Sequence, residues 1–233
     1  MIDQLAPRLP APYTIENDTA LAALGEQAYG LGAGVADFVF VSIGTGIGMG
    51  IVIDGRPHRG ARRAAGEISF LPMGESDPRT GAPASRRHGM LETVASGPGV
   101  VAIARRLGMT GRITAKRVFD AARAGDPTAA AAVAHEAGLV ARALASVIAV
   151  LDPDLIVIGG GIGGHGADVL LGAVHDQLQT MTPLGPPRIE ASVLGDDAVV
   201  LGALATGLAT ARQIVLDTAL GPHLAARPSA TTR

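Results

Sequence analysis

The sequence predicts an α/β protein whose sheet is largely parallel. Short runs rich in Val and Ile alternate with helical patterns along most of the chain, which is the order expected when helices cover a parallel sheet. The run at 154–158 is apolar from its second residue onward without alternation, as in a strand buried on both faces of such a sheet. The longest helical pattern begins at Asp126-Pro127, a preferred helix start, and continues to residue 150. We therefore expect ligands beyond the carboxyl ends of the strands.

Composition narrows the classes of function. The chain has 233 residues, 48% of them hydrophobic, 17% charged, and a formal net charge of −2, which suits one large core or two modest lobes. This balance lacks the basic surplus of a nucleic-acid binder, so we expect no direct contact with nucleic acid. The absence of cysteine excludes disulfides, a thiol nucleophile and cysteine-ligated metal. No uninterrupted apolar run of about 18 residues and no signal-peptide pattern occur, so we expect a cytoplasmic protein without a membrane partner.

The first helix is predicted to begin at Asn17-Asp18. These two residues precede a helical pattern over 19–30, and both residue types are preferred N-caps. Two interpretations stay open at this point. The pair either caps the helix only, or it also holds a carboxylate at a helix N-terminus, pointed at a substrate hydroxyl.

A glycine-rich hairpin is the most informative stretch. A β-rich run at 38–43 enters the loop Gly44-Thr45-Gly46-Ile47-Gly48, a second run follows at 49–53, and Asp54-Gly55 predicts a type I′ turn. Backbone amides of such a loop can surround a phosphate, and Thr45 adds a hydroxyl. The loop alone could equally be only a tight connection. A strand follows where a dinucleotide fingerprint needs a helix, and no Gly-Lys-Ser/Thr completes a Walker loop.

The remaining patterns complete the α/β alternation. Glu67 precedes a predicted strand at 68–71, and a long irregular segment at 72–88 is of the length usually found in functional or mobile loops. The buried strand at 154–158 ends in a glycine-rich turn at 159–164. The other predicted elements are helices at 90–94, 100–107, 114–124, 169–181 and 198–212, a strand at 188–193, and a loose tail beyond residue 221.

Five stretches in this order resemble the ROK family, which groups sugar-responsive repressors with sugar kinases. They are Glu16-Asn17-Asp18, residues 43–55, residues 59–67, residues 91–97 and residues 151–161. The resemblance implies the carboxy-terminal lobe of an actin-like ATPase (ribonuclease H-like) fold with a largely parallel mixed sheet. It divides the chain into a remnant of the amino-terminal lobe at 1–33, the main lobe at 34–197, a terminal helix at 198–220 and a tail at 221–233.

The resemblance also implies roles for individual residues. Asn17 and Asp18 correspond to a sugar-hydroxyl ligand and to the catalytic base of the kinases, and Asp18 would contact the sugar as well. Glu67 and Glu92 correspond to carboxylates that accept hydrogen bonds from sugar hydroxyls. The implied nucleotide contacts are Gly44, Thr45, Gly46 and Gly48 on the phosphate side and Gly159, Gly160 and Gly161 on the adenosine side.

The sequence departs from the family pattern at three points. The four zinc-ligand positions hold Phe70, Pro83, Ser85 and Met90, none of them a good zinc ligand, so we expect no metal there. The sequence starts shortly before Asn17 and lacks the Asp-x-Gly-Gly-Thr motif of the family's kinases. The family's second Asn, two residues after Asp18, is Ala20 here.

These departures favour a sugar-binding effector domain of a ROK-type transcriptional regulator, without its DNA-binding part. The alternative is an ATP-dependent sugar (hexose) kinase, truncated or degenerate here, with Asp18 as general base and with ATP and Mg²⁺ as cofactors. A remnant with neither activity is a third hypothesis. In each functional case the resemblance implies a small-molecule sugar as partner and a homodimer.

Overall fold

A computed structural model describes residues 13–73, 83–182 and 185–224. Its strands are β1 (Phe38–Ile43), β2 (Ile47–Ile53), β3 (Arg56–Pro57), β4 (Leu155–Gly159) and β5 (Arg188–Ala191). They form one sheet in the order β3-β2-β1-β4-β5. β4 pairs in parallel with β1 and β5, whereas β2 pairs antiparallel with β1 and β3. Four strands therefore run in one direction and only β2 is reversed, which confirms the predicted mixed, largely parallel sheet.

Helices cover both faces of the sheet. They are α1 (Asp18–Tyr29), α2 (Pro83–His88), α3 (Met90–Ala95), α4 (Gly97–Arg106), α5 (Ala115–Arg123), α6 (Pro127–Leu151), α7 (Gly160–His165), α8 (Ala167–Met181) and α9 (Ala198–Leu224). Val39, Val41 and Ile43 of β1 join the core under α3–α8, whereas Phe38 and Phe40 join the core under α1 and α9. This alternation follows from the period of two in a strand. β1 is buried at nearly every position because helices cover both of its faces.

Polar side chains begin three helices as the sequence predicts. Asn17 accepts hydrogen bonds from the first turn of α1, Thr114 from α5, and Asp126 from α6, where Pro127 occupies the first turn. Each side chain satisfies a backbone N–H that has no partner within the helix. The start of α1 is thereby fixed, and with it the place of Asp18.

Two predicted elements are wrong. Residues 68–71 are not a strand but a 3₁₀-helix, Ile68–Phe70, because short-range hydrogen bonds to the carbonyls of Gly66 and Glu67 turn the backbone locally. The glycine-rich turn after β4 is the helix α7, which begins at Gly160 with a positive φ of 81°. At residues 68–71 the hydrogen bonds to Gly66 and Glu67 therefore outweigh a composition typical of strands.

Several boundaries differ from the prediction. α2 occupies the end of the segment that we expected to be irregular, and residues 74–82 lie outside the described residues. β5 ends at Ala191, where its paired register with β4 ends, and one more hydrogen bond follows from the amide of Ser192 to the carbonyl of Ile158 at 2.8 Å. α9 continues to Leu224, beyond residue 212, where the helical pattern was expected to end, and beyond residue 220, which the resemblance implied; residues 225–233 are outside the described part of the chain.

Among the residues that the structure describes, two stretches are long and apolar enough to cross a membrane by length and composition, Pro127–Leu151 and Gly195–Ala219. The first is α6, and 56% of its most apolar window is buried inside the protein, as expected of a core helix. Only 6% of the corresponding window of the second is buried. Composition alone is weak evidence for a membrane span, since the core helix of a soluble protein passes the same test.

Candidate functional site

A cavity of about 530 Å³ lies where α1 begins, beside the turn between β1 and β2. The sequence-predicted residues that line it are Asn17, Asp18, Gly44, Thr45, Gly46, Gly48, Glu67, Glu92 and Gly161. Gly160 instead lines an adjoining crevice of about 120 Å³, which shares Asp18 with the cavity, and Gly159 lines neither of the two. The fold thus brings residues from five separate stretches of the sequence to one place.

The turn between β1 and β2 is shorter than predicted. Ile43 pairs with Ile47, so only residues 44–46 connect the strands, and the amide of Gly44 donates to the carbonyl of Gly46 at 2.9 Å. Gly48 belongs to β2, where it pairs with Ser42. The candidate phosphate loop is therefore a three-residue turn followed by a strand that continues along the cavity.

The glycines of β2 have a packing reason of their own. A Cβ atom on Gly48 would lie 2.9 Å from Cγ2 of Thr19, and one on Gly50 would overlap the carbonyl oxygen of Thr19. Glycine at these positions lets α1 lie directly on β2. This close approach carries Asp18, the neighbour of Thr19, to the edge of the cavity.

The Asn17-Asp18 pair divides two tasks. Asn17 Oδ1 accepts hydrogen bonds from the amides of Thr19 at 2.9 Å and Ala20 at 3.3 Å, so its predicted capping role is confirmed. Asp18 Oδ1 accepts from the amide of Thr19 at 2.8 Å, and its side chain is exposed where it lines the cavity. A carboxylate held in this way can accept a further hydrogen bond or a proton from a bound molecule.

Glu92 connects α3 to the glycine turn. Its Oε2 accepts from the amide of Ile47 at 3.0 Å, and its Oε1 lies 3.6 Å from Nδ1 of His88. A Cβ on Gly46 would lie 2.8 Å from the same Oε2. Sequence reasoning marked Glu92 only as a sugar contact and missed that it also holds the start of β2.

Glu67 lines the cavity from a tight bend. Gly66 has a positive φ of 93°, and its carbonyl accepts from the amides of Met49 at 3.0 Å and Ile68 at 2.7 Å. A side chain on Gly66 would overlap the carbonyl of Met49, so glycine is required there. The bend presents the exposed Glu67 beside β2.

An ion-pair cluster behind the cavity was not predicted from the sequence. Glu16 accepts hydrogen bonds from Nε of Arg59 at 2.5 Å and from Nη2 of Arg63 at 3.2 Å. Burial acts to raise the pKa of Glu16, but the hydrogen bonds from Arg59 and the Asn17 amide and the charges of both arginines lower it overall. Partners separated by more than 40 residues leave no periodic signal in a sequence.

The model of the ROK family matches residues 1–210 of this chain. The chain belongs to the ROK family. Its fold is accordingly that of the actin-like ATPases, in agreement with the mixed sheet described above and with the expectation from the sequence.

The relatives include both sugar kinases and regulators. The chain is 39% identical over 195 residues to the bifunctional enzyme NanE/NanK of Brucella suis biovar 1 (strain 1330), covering 83% of this chain and 34% of that protein. It is 35% identical over 221 residues to a glucokinase of Halalkalibacterium halodurans, covering 86% and 64% of the two chains. The chain thus spans a third to two thirds of these relatives.

Solved ROK structures have the same fold. The ROK family glucokinase of Streptomyces griseus, solved in complex with glucose and AMPPNP, has a TM-score of 0.71 and 27% identity, with 86% of this chain and 70% of that chain covered. A ROK family transcriptional regulator, a homologue of the E. coli MLC protein, has a TM-score of 0.75 and 25% identity, with 87% and 53% covered. The fold is therefore common to the two functional classes of the family.

The four zinc-ligand positions of the ROK family are partly visible here. Phe70 is 54% exposed, Ser85 is buried and Met90 is half-buried, whereas the side chain of Pro83 lies outside the described residues. Within the described ranges no group of three or more His, Cys, Asp or Glu side chains is arranged to hold a metal ion. The side chains present at these positions do not fit zinc.

Three carboxylates supply the charged groups that line the cavity of about 530 Å³, which we call the pocket. Asp18, Glu67 and Glu92 line it, and its described lining contains no Lys, Arg or His. Carboxylates accept hydrogen bonds from neutral hydroxyl donors but repel anions. The carboxylates therefore suit a neutral ligand with several hydroxyl groups. An anionic ligand fits only at the glycine turn, or where a bound cation neutralises its charge.

A second ionic cluster joins α5 to the corner between α7 and α8. Hydrogen bonds from Lys116 and His165 lower the pKa of Asp120 to about 2. A hydrogen bond with Asp168 raises the pKa of Arg123, and Arg123 in turn lowers that of Asp168. None of these side chains lines the pocket, and ion pairs between such solvent-accessible side chains contribute little to stability.

Proposed function

We propose that this chain supplies the sugar site, the general base and one side of the phosphate site of an ATP-dependent ROK sugar kinase. One observation carries the proposal. A single cavity joins the exposed Asp18 to two further carboxylates and to the glycine turn of residues 44–46. Phosphoryl transfer depends mostly on positioning and electrostatic stabilisation, and this cavity is able to hold both reactants. The kinase relatives and the glucose–AMPPNP complex of a solved neighbour support the same assignment.

In the proposed reaction the sugar hydroxyls donate hydrogen bonds to Glu67 and Glu92, and Asn17 binds a further hydroxyl. Asp18 takes the proton from the hydroxyl that attacks the γ-phosphorus of ATP, the bond from that phosphorus to the β–γ bridging oxygen breaks, and ADP leaves. The backbone amides of Thr45 and Gly46 bind the phosphates, and Gly44 and Gly48 have no side chains to obstruct their approach. Gly160 and Gly161 approach the adenosine side of the nucleotide, whereas Gly159, which lines neither cavity, ends the strand directly before them.

ATP brings Mg²⁺ to such a site, and the residues present fit the ion. Mg²⁺ is usually held by one or two carboxylates together with substrate phosphates and water. Asp196 lines the crevice of about 120 Å³ that adjoins the pocket and would hold the ion there, which leaves Asp18 free to act as the base. When bound, the ion neutralises charge on the phosphates, which offsets their repulsion by the three carboxylates of the pocket.

A sugar-sensing domain of a ROK transcriptional regulator is the second candidate. The solved ROK regulator matches 87% of this chain, and Phe70, Ser85 and Met90 replace zinc ligands here. In this case the chain binds a sugar without turnover, and a separate part of the protein contacts DNA. A cytoplasmic location and a homodimer are proposed with either function, on the strength of the family resemblance.

The substitution Asp18→Asn tests the proposed base. Asparagine keeps the size and one acceptor of the side chain, so the Kd for D-glucose should change by less than about threefold, whereas the rate of phosphoryl transfer should fall by about 10²–10⁴-fold. Calorimetry measures the first quantity and a coupled ADP assay the second. Asp176→Asn, at an exposed site on α8, is the matched control and should change neither.

Two outcomes would contradict the proposal, the first at the base and the second at the kinase activity itself. Turnover that survives in Asp18→Asn would remove Asp18 as the base. Glucose binding by the unaltered chain without any turnover would leave the regulator as the better assignment.

A further inference from the structure

Glu16 is held at both of its oxygens although it does not line the sugar pocket. Arg59 Nε donates to Oε2 at 2.5 Å, and Arg63 Nη2 lies 3.2 Å from each carboxylate oxygen. The amide of Asn17 donates to Oε1 at 3.2 Å. Only 12% of the Glu16 side chain is exposed, and it faces a different cavity, of about 480 Å³, between residues 13–16 and α9.

The two arginines belong to the bend that carries Glu67. The amide of Ala65 donates to the carbonyl of Arg59 at 3.1 Å, and the amide of Arg63 donates to that of Gly60 at 3.2 Å. Arg63 adopts a left-handed φ of 57°, which a bulky residue seldom does without surrounding contacts. Its Nη2 also reaches the carbonyl of Ile15 at 3.3 Å. The bend is therefore tied to the segment that leads into α1.

This placement makes Glu16 a bridge between the two walls of the pocket. On one side it lies directly before Asn17 and Asp18, and it binds the Asn17 backbone itself. On the other side the bend that it holds continues directly to Gly66 and Glu67. Ion pairs with partly exposed arginines contribute little to overall stability, so the geometry points to a role in alignment.

We propose that Glu16, held by Arg59 and Arg63, is a positioning residue that sets the distance between Asp18 and Glu67 across the pocket. Its importance for catalysis rests on the proposed kinase function. Its effect on the two walls is independent of the kinase function, since it concerns only the backbone at residues 16–18 and 59–67. The two statements are therefore tested by separate measurements.

A double-mutant cycle with D-glucose tests the alignment. Glu16→Gln and Arg59→Met should each raise the Kd for glucose about tenfold, and the double variant should be no weaker than either single one, because both remove the same bridge. Arg59→Lys keeps the charge without the guanidinium fork and should be intermediate. Arg62→Met, at an exposed arginine of the same bend, is the control and should bind glucose as the unaltered chain does. Thermal unfolding verifies that each variant is folded at the temperature of titration.

Amide hydrogen exchange without ligand provides the second measurement. Glu16→Gln should speed exchange at Ala65, whose amide bonds to Arg59, and at Asn17, whose amide bonds to Glu16, while Arg62→Met should not. Unchanged exchange, or multiplicative effects of the two substitutions on glucose affinity, would overturn the proposal. If Glu16→Gln binds glucose normally while Glu67→Ala does not, the bridge is wrong but the sugar site stands. If no aldohexose or N-acetylhexosamine binds the unaltered chain, the proposed function fails, and the exchange result alone decides the bridge.

Discussion

Two of the side chains that line the pocket also hold the structure together. Asn17 caps α1 through its amide oxygen, and Glu92 binds the amide of Ile47 at the start of β2. Glu67 is exposed and makes no capping hydrogen bond to the 3₁₀-helix that follows it. Substitutions at Glu67 and Glu92 should therefore affect ligand binding and folding in different proportions.

Alanine substitutions at Glu67 and Glu92 separate their contributions to ligand binding from those to folding. Glu67→Ala and Glu92→Ala should each weaken glucose binding by at least about tenfold, because each removes a charged acceptor for a hydroxyl. Glu92→Ala should also lower the free energy of unfolding by about 1–3 kcal/mol, since the amide of Ile47 loses its partner. Glu67→Ala should change it by less than about 0.5 kcal/mol. Calorimetry and urea unfolding measure the two effects.

The control is Glu92→Gln. Its amide oxygen still accepts from Ile47, so most of the stability should return while glucose binding remains weaker than in the unaltered chain. Unchanged glucose affinity in both alanine variants would mean that the pocket is not the sugar site.

At the scale of elements, α9 crosses α1 at two glycines. A Cβ on Gly202 would overlap the carbonyl of Leu21, and one on Gly25 would overlap the carbonyl of Ala198. Such close backbone approach is possible only without side chains. Because α1 also lies on the glycines of β2, the position of Asp18 depends on packing against elements on both sides.

Gly202→Val tests this crossing. Valine should separate α9 from α1 and lower the free energy of unfolding by about 1–3 kcal/mol. Gly207 lies on the same helix, and a Cβ there would meet no atom within 4 Å, so Gly207→Ala should stabilise the protein by about 0.5–1 kcal/mol through helix propensity. Urea unfolding measures both. Equal effects of the two substitutions would contradict the packing described.

The sequence predicts elements best where the signal is local. Asn17 and Asp126 begin helices as their residue types indicate, and Asp54 and Gly55 adopt the positive φ values that the predicted turn requires. The 3₁₀-helix at Ile68–Phe70 was missed, because the preceding bend at Gly66 decides it rather than β-propensity.

Long-range contacts limit how much of the candidate site can be predicted from the sequence. The family resemblance indicated Asp18, Glu67 and Glu92, and the fold gathers them into one cavity, although their roles stay predictions. Contacts across more than 40 residues, such as that of Glu92 with Ile47 or of Glu16 with Arg59, were not visible in the sequence. They depend on the arrangement of the sheet, which periodicity does not specify.

At the scale of the whole molecule, the chain covers 70% of the length of the Streptomyces griseus glucokinase and 64% of that of the Halalkalibacterium halodurans glucokinase. The described part nevertheless contains a sheet with both faces covered and one pocket that joins carboxylates to a glycine turn. The central claim is that this pocket holds a sugar and the phosphates of ATP together. A regulator domain needs the sugar alone, so the response to nucleotide separates the two functions.

The most direct test is calorimetric titration of the chain with D-glucose in the absence and presence of AMPPNP and Mg²⁺. We expect AMPPNP to bind and to tighten glucose binding by at least about fivefold, because the two ligands share the pocket formed by Asp18, Glu92 and the glycine turn. By linkage, glucose should tighten AMPPNP binding by the same factor. Glucose binding that does not respond to AMPPNP, or no binding of AMPPNP at all, would contradict it.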